Sequence, residues 1–431
     1  MKTVAIVSLG CPKNLVDSET LIRKLMASGI GCSSNPDRSD VILINTCGFI
    51  EDAKKESIQE ILKIAEGKKQ NARKRLIVFG CLAERYGKEL QEEIPEIDAL
   101  WGVNRGSDIV DYCKEILSDE GLHCKEDDCQ IPSLLSHDSF AYIKIAEGCD
   151  RTCSFCVIPA IRGKYHSRSP DEIIREAEER VRSGTKELIL VGQDITSYGK
   201  DIGKYSLSRL LRDIASLSGD FWIRLLYLYP ISVNDELIET IGTEDKVCNY
   251  IDMPLQHSEE KMLRLMGRGG SRKKFEELVL GIRRALPDVV LRTTLIVGFP
   301  EETDKEFDGL AAFVQNVQFE HLGVFMYSHE EGTNAYVLKG QVSKKIKQKR
   351  YNEIMSMQSA ISLEKNKRLI GRTFTALVDD VEDSVATARL YSQAPEIDGV
   401  VFVQNETVDR GTFVTVRIDE AYDYDLKGTV V

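Results

Sequence analysis

Three cysteines fall within eight residues in the run Gly148-Cys149-Asp150-Arg151-Thr152-Cys153-Ser154-Phe155-Cys156, spaced Cys-x3-Cys-x2-Cys. The apolar stretch Ala141-Tyr142-Ile143-Lys144-Ile145 before them reads as a strand, so the triplet sits in the loop that leaves it. Thiolates this close together on a loop are how an iron–sulfur cluster is anchored at three of its irons. With three protein ligands one iron stays open, which is the feature that separates a catalytic metal site from a closed structural one. Zinc is a weaker competitor: a structural site wants a fourth Cys or His close by, and the nearest candidate, His166, lies ten residues on.

Three further cysteines share a pattern. Cys11, Cys47 and Cys81 each end a short apolar run, Val4-Ala5-Ile6-Val7, Val41-Ile42-Leu43-Ile44 and Leu76-Ile77-Val78-Phe79. Continuous apolar runs fit buried parallel strands. Helical spacing follows each: Leu21, Ile22, Leu25 and Met26 with Gly29 as C-cap; Ile58, Ile61, Leu62 and Ala65 with Gly67 beyond; then Glu84 to about Glu93, before Pro95. Strand, cysteine, helix, three times over, predicts a doubly wound α/β domain, whose ligands sit outside the carboxyl ends of the strands. One such cysteine reads as a small buried hydrophobe; three at equivalent strand ends read as a shared metal site.

The chain has 431 residues, enough for about three domains at ~150 residues each, and 42% hydrophobic and 29% charged residues mark it as globular. There are 11 cysteines, an odd number, and the first eight residues hold no long apolar leader. That argues for reduced thiols in the cytoplasm rather than a disulfide framework. No run approaches the ~20 apolar residues of a membrane span. Cys124 and Cys129, with His123, lie in a charged stretch without a third cysteine, and Cys32, Cys113 and Cys248 read as incidental.

From residue 141 to about 326, strand-like runs at 141–146, 187–192, 222–228, 248–253, 289–297 and 321–326 alternate with helices. Ser169 as N-cap, Pro170, Glu172 as the partner in a capping box, and Gly184 as C-cap frame the first of these helices. Six such units predict a curved parallel sheet with its site at the carboxyl ends of the strands. Gln193-Asp194, Gln256-His257 and Gly298-Phe299-Pro300 fall at such ends, and a lone histidine like His257 is read as structural.

Residues 340–369 form a helical segment of net charge +6, with Lys344, Lys345, Lys347, Lys349, Arg350, Lys365, Lys367 and Arg368 against Glu353 and Glu364. A solvated face is the default reading, and docking on RNA the alternative. After Thr373 short strands at 373–379, 385–390, 400–403 and 412–418 predict a small β-barrel. Residues 370–431 hold twelve acids and five bases, a net of −7 within a whole-chain charge of −12.

The Cys149, Cys153, Cys156 signature with an aromatic residue before its last cysteine resembles that of radical S-adenosylmethionine enzymes. With Gly10-Cys11-Pro12-Lys13-Asn14, Asn45-Thr46-Cys47 and Gly80-Cys81 ahead of it, nearly the whole chain resembles the methylthiotransferase family. The resemblance implies an N-terminal methylthiotransferase domain over 1–117, a radical S-adenosylmethionine core over 135–367 built as a partial (β/α)6 barrel, and a TRAM domain over 368–431. It implies two 4Fe–4S clusters, on Cys11, Cys47 and Cys81 and on Cys149, Cys153 and Cys156. The second would bind S-adenosylmethionine and, once reduced, cleave it to a 5′-deoxyadenosyl radical. The first would offer its open iron to the sulfur to be transferred. Gln193 would meet the cofactor's methionine portion and Phe155 its adenine, although Gln193-Asp194 fits a capped loop, and Phe155 a packing role, equally well. An electron-donor protein is a further implied partner.

Charge selects between the family's two bacterial branches. One modifies an adenosine of transfer RNA; the other modifies the β-carbon of an aspartate on the twelfth small-subunit ribosomal protein. A barrel at −7 would be repelled by phosphates but complements a basic ribosomal protein. The stretch Arg389-x4-Ala394-Pro395-Glu396-Ile397-Asp398-Gly399 also resembles the ribosomal-protein branch. The transfer-RNA branch, and a non-catalytic iron–sulfur carrier, are the alternatives.

Overall fold

The computed structural model describes residues 3–70, 73–117, 139–203, 205–382, 385–404 and 408–431. His123, Cys124 and Cys129 lie outside the described residues. The remainder falls into two units, residues 3–117 with 156–164, and residues 139–155 with 165–431.

In the first unit the elements run β1 (Thr3–Ser8), α1 (Pro12–Ala27), β2 (Gly31–Ser33), β3 (Val41–Thr46), α2 (Glu51–Gln70), β4 (Arg75–Gly80), α3 (Cys81–Glu93), β5 (Ala99–Trp101) and α4 (Gly106–Leu117). The strands form one sheet in the order β2-β1-β3-β4-β5, and every pair is parallel. Alternate residues serve opposite faces: Val4, Leu43 and Ile77 pack with Leu21 and Leu25 of α1 and Ile109 of α4, while Ile42, Ile44, Leu76 and Val78 pack with Ile61 of α2 and Leu82 of α3. Apolar runs buried on both faces thus give the doubly wound layer that their composition predicts. The three-residue strands β2 and β5 are too short to show a pattern and were not anticipated. Helix α2 continues through Gly67, where an end was expected. Nothing crowds that glycine, and Lys68 secures the last turn on the Glu96 carbonyl and the Asp98 carboxylate, both at 2.6 Å. Helix α5 (Ile158–Arg162) belongs to this unit, with Val157 and Ile161 packed beside Cys81.

The second unit opens with β6 (Phe140–Lys144) and a two-residue ribbon of β7 (Ala146–Glu147) with β8 (His166–Ser167). Then follow α6 (Pro170–Arg182), β9 (Glu187–Val191), α7 (Leu207–Ala215), β10 (Trp222–Leu225), α8 (Asp235–Thr243), β11 (Val247–Asp252), α9 (Glu260–Leu265), α10 (Arg272–Ala285), β12 (Val290–Val297), α11 (Asp304–Val317) and β13 (His321–Met326). Six parallel strands in the order β13-β12-β11-β10-β9-β6 make the open, partial (β/α)6 barrel. The expected capping box on α6 does not form, since Ser169 makes no side-chain cap bond, although Pro170 opens the helix and Gly184 leaves it at φ 102°. A box forms instead on α11, where Glu306 accepts the Thr303 backbone N–H at 3.0 Å.

Helix α12 (Lys344–Lys367) leads into β14 (Thr373–Glu382), β15 (Val385–Leu390), β16 (Val401–Gln404), β17 (Phe413–Ala421) and β18 (Leu426–Val430), closed in the order β14-β15-β16-β18-β17. Strand β18 escaped the sequence reading because Lys427 and Gly428 break its apolar run. The glycine is required: a Cβ there would stand 2.5 Å from the Arg417 carbonyl oxygen. On α12, Lys347 donates to the Tyr327 carbonyl at 2.7 Å and the buried Arg350 pairs with Asp304 at 2.9 Å, while Lys365 pairs with Glu320. Much of its positive charge therefore has internal work. Among the described residues no helix is long and apolar enough to cross a membrane.

Barrel and half-barrel meet through buried charges. Glu187 at the start of β9 pairs with Arg224 of β10 and Arg389 of β15, both at 2.5 Å, and Arg389 also grips Asp379 of β14 at 2.5 and 2.9 Å. Arg224 and Glu187 are fully buried and Arg389 nearly so. Alongside, Tyr142 donates to Glu396 at 3.1 Å and Tyr250 to Asp398 at 2.7 Å. The stretch from Arg389 to Gly399 is, physically, the anchor of the terminal barrel.

Removing one member of such a network strands an opposite charge in a low dielectric. Arg389→Met should lower the stability of the full chain by about 3–5 kcal/mol, and an unchanged denaturation midpoint would show that the seam contributes nothing.

Candidate functional site

Strand register decides where the first three cysteines fall. Ser8 lies opposite Asn45, and Thr46 opposite Gly80. Cys47 and Cys81 are therefore each one residue past a registered pair, and Cys11 turns the corner into α1 beside them. All three stand at the carboxyl edge of the adjacent strands β1, β3 and β4, at the point where the strand order reverses and doubly wound sheets bind their ligands.

The residues flanking these cysteines are explained by close packing. Gly10 takes φ 91°, and a Cβ on it would lie 2.6 Å from Cys47 Cβ; a Cβ on Gly80, at φ 99°, would lie 2.3 Å from Asn45 Oδ1. Asn14 donates to the carbonyls of Leu9 at 2.9 Å and Thr46 at 3.2 Å. Asn45 in turn donates to the Asn14 carbonyl at 2.8 Å and Ser18 Oγ at 2.9 Å. Ser57 of α2 clamps Cys47, accepting its N–H at 3.0 Å and donating to its carbonyl at 3.1 Å.

The thiols sense one another. Burial pushes the Cys47 thiol up to about 11, with Cys11 and Cys81 adding to the rise and the Phe49 backbone N–H opposing it. Burial also raises Cys81, while the guanidinium of Arg162 lowers it. That arginine donates to Cys81 Sγ at 3.5 Å, to Asn14 Oδ1 at 2.7 Å and to Asp17 at 3.0 Å. Burial makes Cys47 and Cys81 hard to ionise on their own, and a cationic centre bound by the sulfurs would offset that cost.

In the second unit Gly148, at φ 72°, turns the chain out of β7 into the second cysteine motif. Cys149 is buried and its thiol is raised chiefly by that burial, with Asp194 and Cys153 contributing. Ser154 ties the loop down, its N–H donating to the Met266 carbonyl at 2.9 Å and its Oγ to that of Leu265 at 2.7 Å. Arg268 donates to Cys153 Sγ at 3.5 Å and to the Pro254 carbonyl at 2.6 Å. Arg151 pairs with Asp194 at 2.7 Å, and the Tyr229 ring is bracketed by Arg151 at 3.8 Å and Arg268 at 4.6 Å. Cys156 is half-buried and its Sγ accepts the Ile158 N–H at 3.4 Å.

Among the described residues no three His, Cys, Asp or Glu side chains close around a single ion. A four-iron cluster asks for something else, since each thiolate binds a different iron and the sulfurs stand further apart than around one ion. The thiol-only donor set at the ends of β1, β3 and β4, with an arginine donating to one of its sulfurs, has the chemistry that such a cluster takes.

The remaining candidates sort by their contacts. Gln193 donates to Glu147 at 3.1 Å, and its Oε1 is buried with no hydrogen-bond partner, an acceptor waiting for a donor. Asp194 caps the following turn, accepting the Thr196 N–H at 3.1 Å. Phe155 packs partly against Met262, Met266 and Phe299. Gly298-Phe299-Pro300 is held by Glu302, which accepts the Phe299 N–H at 3.0 Å. His257 is fully buried, and its Nδ1 accepts the backbone N–H groups of Ser258 and Glu259, both at 3.0 Å. Sequence reasoning passed over Arg162, Arg151, Arg268 and Glu147. A single arginine at the end of the apolar run Val157-Ile158-Pro159-Ala160-Ile161 was the available signal for the first.

A partial (β/α)6 barrel with a Cys-x3-Cys-x2-Cys loop after its first strand defines a radical S-adenosylmethionine enzyme, and the model of the Radical SAM superfamily matches residues 143–314. Uncharacterized protein family UPF0004 matches residues 3–102, and the TRAM domain residues 370–431. The ribosomal protein uS12 methylthiotransferase RimO of Thermodesulfovibrio yellowstonii is 52% identical over 432 residues, covering 100% of both chains. That of Aquifex aeolicus is 44% identical over 431 residues, 99% of this chain and 96% of its own. The chain belongs to the RimO family of radical S-adenosylmethionine methylthiotransferases. Among solved structures, the radical S-adenosylmethionine methyltransferase TsrM from Kitasatospora setae aligns at TM-score 0.54 and 11% identity, over 89% of this chain and 79% of its own. The cobalamin-dependent S-adenosylmethionine radical enzyme OxsB aligns at 0.54 and 12%, over 85% and 56%. These two likenesses concern the fold alone.

His257 gives a pH prediction. Burial holds its pKa down, from 6.5 to about 3, so the folded chain keeps it neutral while the unfolded chain takes up a proton below 6.5. Stability should fall with acidification from 6.5 toward 3, by ~1.4 kcal/mol per pH unit from this residue. In His257→Asn that component should vanish; identical pH slopes in the two proteins would refute it.

Proposed function

We propose that the enzyme places a methylthio group on the β-carbon of an aspartate of ribosomal protein uS12. In this reading Cys11, Cys47 and Cys81 hold one 4Fe–4S cluster, and Cys149, Cys153 and Cys156 hold another. The observation that carries it is the alignment of three thiols at the ends of β1, β3 and β4 in a chain that also bears the Cys-x3-Cys-x2-Cys loop. When bound and reduced, the second cluster supplies one-electron cleavage of S-adenosylmethionine, and so a carbon radical able to take hydrogen from an unactivated carbon. The chain's own residues bind and orient. Gln193 Oε1 would accept from the amino group of the cofactor's methionine portion, with Glu147 fixing the amide through its Nε2. Phe155 would offer its exposed side to the adenine. An electron-transfer protein would deliver the electrons, and a ribosomal substrate places the reaction in the cytoplasm.

The terminal barrel supports a basic protein substrate. Asp379, Glu396, Asp398 and Arg389 face the half-barrel, which leaves nine acids and four bases, still a net of −5. Glu382, Asp409 and Glu420 are exposed.

Mass spectrometry of uS12 from cells with and without the gene should differ by one methylthio group in place of a hydrogen. An unmodified uS12 alongside loss of a methylthiolated adenosine in transfer RNA would transfer the reading to the other branch. The reconstituted protein should bind about eight irons, four per cluster. Cys153→Ala should retain about four and form no 5′-deoxyadenosine with dithionite and S-adenosylmethionine.

Lysine at positions 382, 409 and 420 should weaken binding to uS12 several-fold at low salt, with the difference shrinking as salt screens the charges. Equal affinities at low salt would remove the barrel's charge from the account of recognition.

A further inference from the structure

We infer that Arg162 is a positioning residue for the N-terminal thiol trio, whose guanidinium raises the reduction potential of the cluster that Cys11, Cys47 and Cys81 would hold. The inference rests on the two-cluster reading above and adds a determinant to it.

Arg162 is 5% exposed. One terminal nitrogen, Nη2, lies 3.5 Å from Cys81 Sγ, 2.7 Å from Asn14 Oδ1 and 3.0 Å from Asp17 Oδ2. Its position is fixed from both sides. Asn14 donates its amide N–H groups to the Leu9 and Thr46 carbonyls, so Oδ1 is the atom turned toward the arginine. Val157 and Ile161, on the same segment, pack beside Cys81. The carboxylate of Asp17 is a quarter exposed, and Arg162 is buried. A buried cation needs compensating charge, and a cluster on three thiolates is anionic. Adding one electron deepens that negative charge in a low dielectric, so a guanidinium at hydrogen-bond distance from a ligand sulfur favours the reduced form. Asp17 acts in the opposite sense by drawing on the same guanidinium.

The two groups therefore predict shifts of opposite sign, which a purely structural Arg162–Asp17 pair does not. The measurement is a potentiometric reduction of the full-length Cys153→Ala protein, read by the electron paramagnetic resonance of the remaining cluster together with iron analysis. Adding Arg162→Gln should cut the ratio of reduced to oxidised cluster at a fixed potential about tenfold, ~59 mV downward for a one-electron couple. Arg162→Lys should fall between, and Asp17→Asn should move upward. Unchanged potentials in iron-loaded Arg162→Gln and Arg162→Lys overturn the inference. Should Arg162→Gln hold no iron, Asp17→Asn decides, and an unchanged or lower potential there overturns it. If the Cys153→Ala protein with Arg162 intact holds no iron, the two-cluster reading falls and takes this inference with it.

Discussion

Parallel pairing of β3 with β1 on one side and β4 on the other leaves little freedom in where Cys47 and Cys81 can stand. Each follows a strand whose last residues are locked by main-chain hydrogen bonds to a buried neighbour, and a slip of one residue would turn every side chain of the strand to the opposite face. The apolar runs that make the sheet also fix the register, and the register fixes the thiols. Around this edge the chain uses its most constrained residues: glycines at φ 91° and 99° where a Cβ would collide, and two asparagines whose amides bridge backbone groups of neighbouring segments. The three thiols are held by elements that have little latitude to relax.

The half-barrel faces a different problem. The strand faces turned away from its helices carry Glu187, Arg224, Tyr250, Asp252 and Arg292 rather than a packed apolar filling. Ions in such a place are stable only when fully partnered, and here the partners come partly from the terminal barrel. Arg224 is stacked over Tyr250 at 4.5 Å and donates to the Tyr391 carbonyl at 2.8 Å; Arg292 pairs with Asp252 at 3.0 Å and lies 3.4 Å from Asp398. Such a seam specifies one docking geometry, because any other would leave charges unpaired.

What was legible in the sequence was what repeats or is dense. The three strand–cysteine–helix units, the six βα units and the spacing of the second cysteine motif all stood out because each is a local pattern tied to a buried strand or a tight loop. What was not legible depends on partners distant in sequence. Arg162 gains its meaning from Asn14 and Cys81, 148 and 81 residues away. The tail acids looked like one uniform field, yet Asp379 and Asp398 lie against the half-barrel. Ser169 carried every local sign of a capping box and forms none, while Thr303 and Glu306, unremarked, form one. The three-residue strands β2 and β5 carry too few residues for periodicity to register, and Lys427 and Gly428 interrupt β18.

The helix between Cys156 and Lys164 has a consequence for how such an enzyme can be taken apart or recombined. It is encoded within the half-barrel's stretch of chain, yet it buries Val157, Ile161 and Arg162 among residues of the N-terminal layer. A fragment beginning near residue 139 would bare two aliphatic side chains and an arginine without its acceptors. A fragment ending near 117 would lack the cover over Cys81. Modularity at the level of the gene is thus denied at the level of the fold: grafting either layer onto a foreign neighbour requires moving these nine residues with the layer they pack in, not with the stretch they are written in.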